Sequence, residues 1–296
     1  MRIFVTGASG FVGSAVVREL ISAGHEVTGV ARSDAAAKLV ADSRAEVYRG
    51  DLEQPESLVR GASASDAVIH LGFNHDFSRY AANCELDRRV IEVLGSALTG
   101  SRRPFIITSA IGILPTGRVV DEQTMPAAVS SIPRVATEEA GRALLERGAN
   151  VSVVRLPHST HGEGDHGFVP ALIAIAREKG VSAYVGGGEN RWPAVHRLDA
   201  AKVYRLALER ATPGSHYHAV AEEGVPFRQI AEVIGRRLEL PLVSKPPEEA
   251  APHFGWLAHF AAMNVTASSA QTREQLQWAP TQPSLLADVD QPYYFR

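Results

Sequence analysis

The stretch that most constrains this chain is its opening run, MRIFVTGASGFVGSAVVRELISAGHEVTGVARS. Arg2–Thr6 is largely apolar and stops at a glycine, the pattern of a short buried strand. Gly7, Gly10 and Gly13 follow at three-residue intervals, and the periodicity beyond them predicts a helix from Phe11 to Ala23. Glu26–Ala31 predicts the next strand. Strand, glycine turn, helix and strand make the first unit of a dinucleotide-binding sheet. Gly7 allows a sharp turn, Gly10 lets bare backbone approach a pyrophosphate, and Gly13 lets the helix pack close to the strand. The phosphates of such a ligand sit at the helix N-terminus, where free N–H groups and the macrodipole favour an anion.

Further along, apolar runs at Glu46–Arg49, Asp66–Leu71, Pro104–Thr108 and Val151–Leu156 alternate with helical patterns near Pro55, at Phe77–Thr99 and at Ser131–Arg147. This alternation predicts an α/β fold with a doubly wound parallel sheet. Residues 1–156 then form a Rossmann-type nucleotide-binding domain. After Leu156 the regularity drops: PHSTHGEGDHG is expected to be loop, Phe168–Lys179 a helix, Ser182–Val185 a short strand and Ala200–Arg210 a helix.

Composition excludes several classes. The 296 residues suffice for a large domain with a smaller partner. The net charge of −3 argues against a nucleic-acid surface. Cys84 is the single cysteine, so an intramolecular disulfide and a cysteine-based zinc cluster are ruled out. No apolar run approaches the roughly 18 residues of a membrane span, and the first strand follows the N-terminus with no leader pattern. A soluble cytoplasmic protein acting on a small molecule is expected, with neither membrane nor nucleic acid as partner.

The spacing in TGASGFVG, Gly-x-x-Gly-x-x-Gly, resembles the extended branch of the short-chain dehydrogenase/reductases, the NAD-dependent epimerase/dehydratase-like proteins. The resemblance implies a Rossmann domain with a smaller C-terminal substrate region, formed here by residues 157–194 and 213–296. The segment at about 195–212 is similar to the one that returns to the large domain in extended members. The resemblance also implies a nicotinamide dinucleotide held by Gly7, Ser9, Gly10, Phe11, Val12 and Gly13, with Arg32, Asp51, Leu52, Leu71, Gly72, Phe73, Thr108 and Pro157 along the rest of it. NAD sites place Asp or Glu at the end of the second strand, whereas Arg suits a 2′-phosphate. Arg32 stands there, and Asp34 two residues later is better placed to begin the next helix with Ser33, so NADP is favoured over NAD. In the resembled proteins an Asp at the position of Asp51 bonds the adenine amino group; Asp51 is also placed to cap the helix near Pro55. Gly72 fits the small residue usually found beside the cofactor, and the larger Phe73 faces cofactor or substrate. Dimers through helix pairs are common in the resembled proteins, so a homodimer is implied.

The catalytic pattern departs. Resembled proteins carry a Ser or Thr after the fifth strand and a Tyr-x-x-x-Lys on the next helix. Aligned on PRVATEEAGRAL, Arg134 stands where the tyrosine belongs and Glu138 where the lysine belongs, and no tyrosine lies between Tyr80 and Tyr184. The usual serine position falls on Ala110, with Ser109 one residue earlier. Three replacements are open. Ser109 could polarise a carbonyl oxygen; Arg134 could stabilise an oxyanion but not act as an acid; His158 or His161 could give the proton. His158, His161, His166, Glu163 and Asp165 are metal-ligand types, but without helical i, i+4 spacing, so no metal is expected. Trp192, His196, His253, Phe254, Trp256, His259 and Tyr294 give the C-terminal half a density of rings suited either to packing between domains or to a pocket for a flat substrate. The expected function is an NADP-dependent oxidoreductase acting on a small carbonyl or alcohol. The alternatives are a non-catalytic NADP-binding sensor and an epimerase or dehydratase with tightly held cofactor.

Overall fold

The computed structural model describes residues 1–127 and 131–296. Strands β1 (Arg2–Thr6), β2 (Glu26–Ala31), β3 (Glu46–Arg49), β4 (Ala67–His70) and β5 (Pro104–Ala110) alternate with helices α1 (Phe11–Ser22), α2 (Asp34–Asp42), α3 (Val59–Ser63) and α4 (Tyr80–Ser96). A short β6 (Val119–Val120) and helix α5 (Ala136–Glu146) precede β7 (Asn150–Leu156) and β8 (Ser159–His161). Then come α6 (Phe168–Lys179), β9 (Ser182–Val185), β10 (Arg191–His196), α7 (Arg197–Arg210), β11 (His216–His218), β12 (Glu222–Pro226), α8 (Phe227–Leu238) and β13 (Leu242–Lys245). The chain closes with α9 (Ala250–Phe254), α10 (Ala258–Ala262), β14 (Thr266–Ala267), α11 (Ala270–Leu276) and α12 (Leu285–Val289).

Seven parallel strands form the main sheet in the order β11-β7-β5-β4-β1-β2-β3. Strand alternation splits its apolar residues between two layers. Ile3 and Val5 of β1 join one core with α1 and α7, while Phe4 joins the other with α4 and α5. A third core, around Trp192, Phe227, Phe254 and Leu257, belongs to the smaller C-terminal lobe. Among the described residues no helix is long and apolar enough to cross a membrane.

Five placements differ from the sequence expectation. Tyr217 was expected in the smaller region; instead β11 extends the main sheet beside β7, because Val151, Val153 and Tyr217 are all buried there. Trp278 also packs into the α1/α7 layer. The loop after β7 contains a strand, β8, which pairs with β10 through Ala194↔Ser159 and His196↔His161. The long helix begins at Tyr80 rather than Phe77, since Phe77–Arg79 is a 3-10 turn opened by the Asp76 carboxylate accepting from Ser78 N–H. The last of the early helices likewise starts at Ala136, after a 3-10 turn at Pro133–Val135.

Candidate active site

The order of the main sheet reverses between β1 and β4, and a crevice opens there at the C-terminal ends of the strands, where open α/β sheets bind ligands. β1 ends against β4 with Thr6 opposite His70. The chain turns at Gly7 with φ of +69°, and a Cβ there would lie 2.7 Å from Gly72 N. A Cβ on Gly13 would lie 1.9 Å from Gly7 O. Only glycine fits either place. Gly10 caps α1 without a side-chain hydrogen bond, and the first turn holds no acidic residue. The leading amides of α1 therefore face the crevice unneutralised, the environment a pyrophosphate needs.

One cavity of about 1180 Å³ runs from this turn to the smaller lobe. It exceeds the roughly 300–1,000 Å³ of a pocket for one drug-sized ligand. Its lining includes Gly7, Ser9, Gly10, Phe11, Val12 and Gly13, then Arg32, Asp51, Leu52, Leu71, Gly72, Phe73, Thr108 and Pro157. The cradle thus fits the nicotinamide dinucleotide implied by the sequence. Arg32 is exposed and, among the described residues, makes no ion pair. Asp34 is instead held by Arg49, and the Ser33 hydroxyl caps α2 by accepting from Ala36 N–H at 3.2 Å. Asp51 does not cap the turn at Pro55. That turn begins at Gln54 without a side-chain cap, and the Asp51 carboxylate accepts from Glu53 N–H at 3.1 Å.

At the other end, Arg134 lines the cavity with its guanidinium carbon 4.0 Å above the Phe73 ring centroid. It is held from behind. Nη1 lies 2.7 Å from Asp87 Oδ2, and Nη2 donates to Thr108 O at 3.0 Å. Asp87 is buried on α4, which would raise its pKa, but Arg134, His70 and Thr137 outweigh this and hold its carboxyl below the usual range. Thr6 Oγ1 accepts from Gly72 N–H at 3.1 Å and lies 2.6 Å from His70 Nδ1. That leaves the threonine hydrogen for Nδ1 and directs the Nε2 hydrogen to Asp87 at 3.1 Å. A continuous polar chain therefore ties the glycine turn to Arg134.

The other candidates separate. Ser109 lines the cavity, and its buried hydroxyl lies towards the Glu138 carboxylate without a well-aligned hydrogen bond to it. His158 also lines it, with Nδ1 unpartnered; enclosure by protein pushes its pKa down to about 4, so the ring is neutral near pH 7. His161 is not among the cavity residues. It is fully buried on β8 with Nδ1 2.9 Å from Asp288 Oδ2. Glu138 is also turned away. Both its oxygens take Arg155, Nε and Nη2 each donating at 2.8 Å. Burial opposes its charge, and Arg155 overcomes that to hold the carboxyl below its usual range. Of the C-terminal rings, Trp256 and His259 line the cavity, whereas Trp192 is buried with its Nε1–H donating to Phe260 O at 3.0 Å.

Tyr80, His75 and Phe77 also line this end, as do Phe168, Phe260 and Asp165, the last named from the sequence only as a metal-ligand type. Burial pushes the Tyr80 phenol up to about 12 and the Asp165 carboxyl up to about 6. The signal for the first three was available, because residues directly after β4 lie at the switch-point crevice.

Glycine turn, parallel sheet and switch-point crevice define a Rossmann-type dinucleotide-binding α/β protein. The chain belongs to the NAD dependent epimerase/dehydratase family, whose model matches residues 3–220. It is 46% identical over 295 residues to an uncharacterized protein of Schizosaccharomyces pombe, covering 100% of both chains. It is 28% identical over 265 residues to 2-alkyl-3-oxoalkanoate reductase of Stenotrophomonas maltophilia, covering 83% of this chain and 78% of that one. In fold it is similar to the dTDP-glucose 4,6-dehydratase DesIV of Streptomyces venezuelae, solved with NAD and TYD bound. The TM-score is 0.79 at 18% identity, covering 100% of this chain and 97% of that one.

Proposed function

We propose that this protein is an NADP-dependent oxidoreductase that reduces a carbonyl compound or oxidises the corresponding alcohol. The observation that carries this is the single cavity joining the glycine turn and Arg32 to Arg134, Ser109 and His158. When bound, the cofactor supplies or accepts a hydride at its nicotinamide ring. Arg32 takes the 2′-phosphate, and the leading amides of α1 take the pyrophosphate. Arg134 stabilises charge developing on the substrate oxygen, a role that needs a fixed cation rather than an acid. The Asp87 contact and the Thr108 carbonyl fix that cation. Ser109 and the neutral His158 offer hydrogen bonds to the same oxygen, and the proton arrives from one of them or from water. His161, bonded to Asp288, acts as a positioning group for the loop. The reductase among the relatives supports the reaction class.

The test is a titration with NADPH and NADH followed by an NADPH-oxidation assay across ketones, aldehydes and imines. Tight NADPH binding with turnover is expected. Tight binding with silence across the panel favours a non-catalytic sensor, the reading supported by Glu138 being locked to Arg155 rather than facing the cavity. Cofactor that co-purifies and promotes product formation without net oxidation marks an epimerase or dehydratase instead.

A further inference from the structure

We propose that the second ligand of this cavity is a flat, uncharged aromatic carbonyl compound. The inference rests on the oxidoreductase reading for the carbonyl alone; the ring follows from the wall itself.

That wall is a connected series of rings. Phe73, beneath Arg134, meets Tyr80 edge-on with centroids 6.5 Å apart. Tyr80 lies 5.8 Å from Phe77, and Phe77 stacks on Trp256 at 5.3 Å and 19°. Phe168 and Phe260, 4.6 Å apart, close the same wall from the smaller lobe. The series leads from the guanidinium to the mouth of the cavity, where Trp256 is 54% exposed. Trp256 lines the cavity with one face stacked on Phe77 and its open side left for a ligand ring.

Charge points the same way. Arg32, Asp51 and Glu53 all belong to the end beside β2 and β3. Among the described residues lining the ring-lined end, the charged types are Arg134, already compensated by Asp87, and Asp165, whose carboxyl is hydrogen-bonded to Gly167 N–H and the Tyr294 hydroxyl; His75, His158, His166 and His259 line it too, with burial pushing the pKa of the first two down. Among the described residues no lysine lines the cavity. A diphosphate or carboxylate there would lose its water and meet no cation beyond Arg134, whose charge Asp87 already balances, and a polyhydroxylated sugar would set hydroxyls against the Phe77, Phe168, Trp256 and Phe260 rings. A planar apolar body meets neither cost, and its carbonyl oxygen can still reach an Arg134 N–H.

The test compares acetophenone with cyclohexyl methyl ketone, equal in size but differing in flatness, and with dTDP-glucose. Binding is measured by calorimetry on the full chain loaded with NADP⁺, which permits no reduction. Acetophenone is expected to bind at least fivefold more tightly than the cyclohexyl ketone. That preference should vanish in Trp256→Ala, a change at an exposed residue, and shrink in Phe77→Leu. The proposal is overturned if dTDP-glucose binds as well as acetophenone, if flatness earns no preference, if neither variant alters it, or if no ketone binds. Failure of the two readings is distinguishable. A ring preference without NADPH oxidation by acetophenone sinks the oxidoreductase reading and leaves the ligand class standing. NADPH oxidation by polyhydroxylated carbonyls alone does the reverse.

Discussion

Arg32 and His218 show how single side chains set measurable behaviour. Arg32 follows β2 exposed, beside a cavity, while Asp34, two residues on, is held by Arg49. Arg32→Glu should therefore weaken NADPH binding by roughly tenfold to a hundredfold, the range of one charge-assisted contact, and leave NADH binding equal or improved. Comparative titration checks this. His218 is buried, with Nδ1 2.8 Å from Ser268 O and Nε2 3.2 Å from Arg155 Nη1. Nδ1–H therefore donates and Nε2 accepts. Burial first, and Arg155 second, push its pKa down to about 4 from 6.5. The unfolded chain then binds more protons than the folded one between those values, so stability is complete above pH 6.5 and falls as the pH drops towards 4. The loss from this residue is on the order of 3 kcal/mol. His158 adds to it with the same sign, and Asp165, whose raised pKa makes the folded state the better proton binder between about 4 and 6, opposes it. His218→Gln keeps an acceptor for Arg155 without the titration, so its melting temperature should decline less over that window.

At the scale of elements, α5 and β7 meet through a buried ion pair. Glu138 on α5 and Arg155 on β7 form a bidentate pair with both side chains almost wholly buried. Arg155 also donates to Thr124 O at 2.8 Å. A lysine at 138 would set two cations side by side in the core. Glu138→Lys should therefore cost about 3–5 kcal/mol, the usual penalty for breaking a buried pair. Against a total stability of about 5–15 kcal/mol, this variant should unfold at markedly lower denaturant. Undiminished stability would show that the pair can be replaced. The neighbouring α4 anchors the other half of the site through Asp87, so the two helices divide the work: one holds Arg134, the other keeps the core neutral.

For the whole molecule, the cavity spans the main sheet and the smaller lobe, so a ligand filling it stabilises both. At a hundredfold excess over its dissociation constant NADPH adds about 2.7 kcal/mol, which for a chain of this length raises the melting temperature by roughly 4 °C. Gly13→Ala should abolish that shift, because its Cβ would fall 1.9 Å from Gly7 O and open the turn. Much of this arrangement was legible in the order of residues. Period-two and helical patterns gave the alternating sheet, and the glycine spacing located the tight turn at the switch-point crevice, because both are local consequences of backbone geometry. Arg32 was legible too, since its place follows from the end of one strand. What the sequence by itself could not decide was which side chains meet across long separations. His161 turned to Asp288, Glu138 to Arg155 and Tyr217 to the main sheet because burial of charge and edge pairing are settled by neighbours from distant segments. The ring-lined wall was decided in the same way. Its members come from residues 73–80, 168 and 256–260, and only tertiary packing brings those stretches together around one apolar volume.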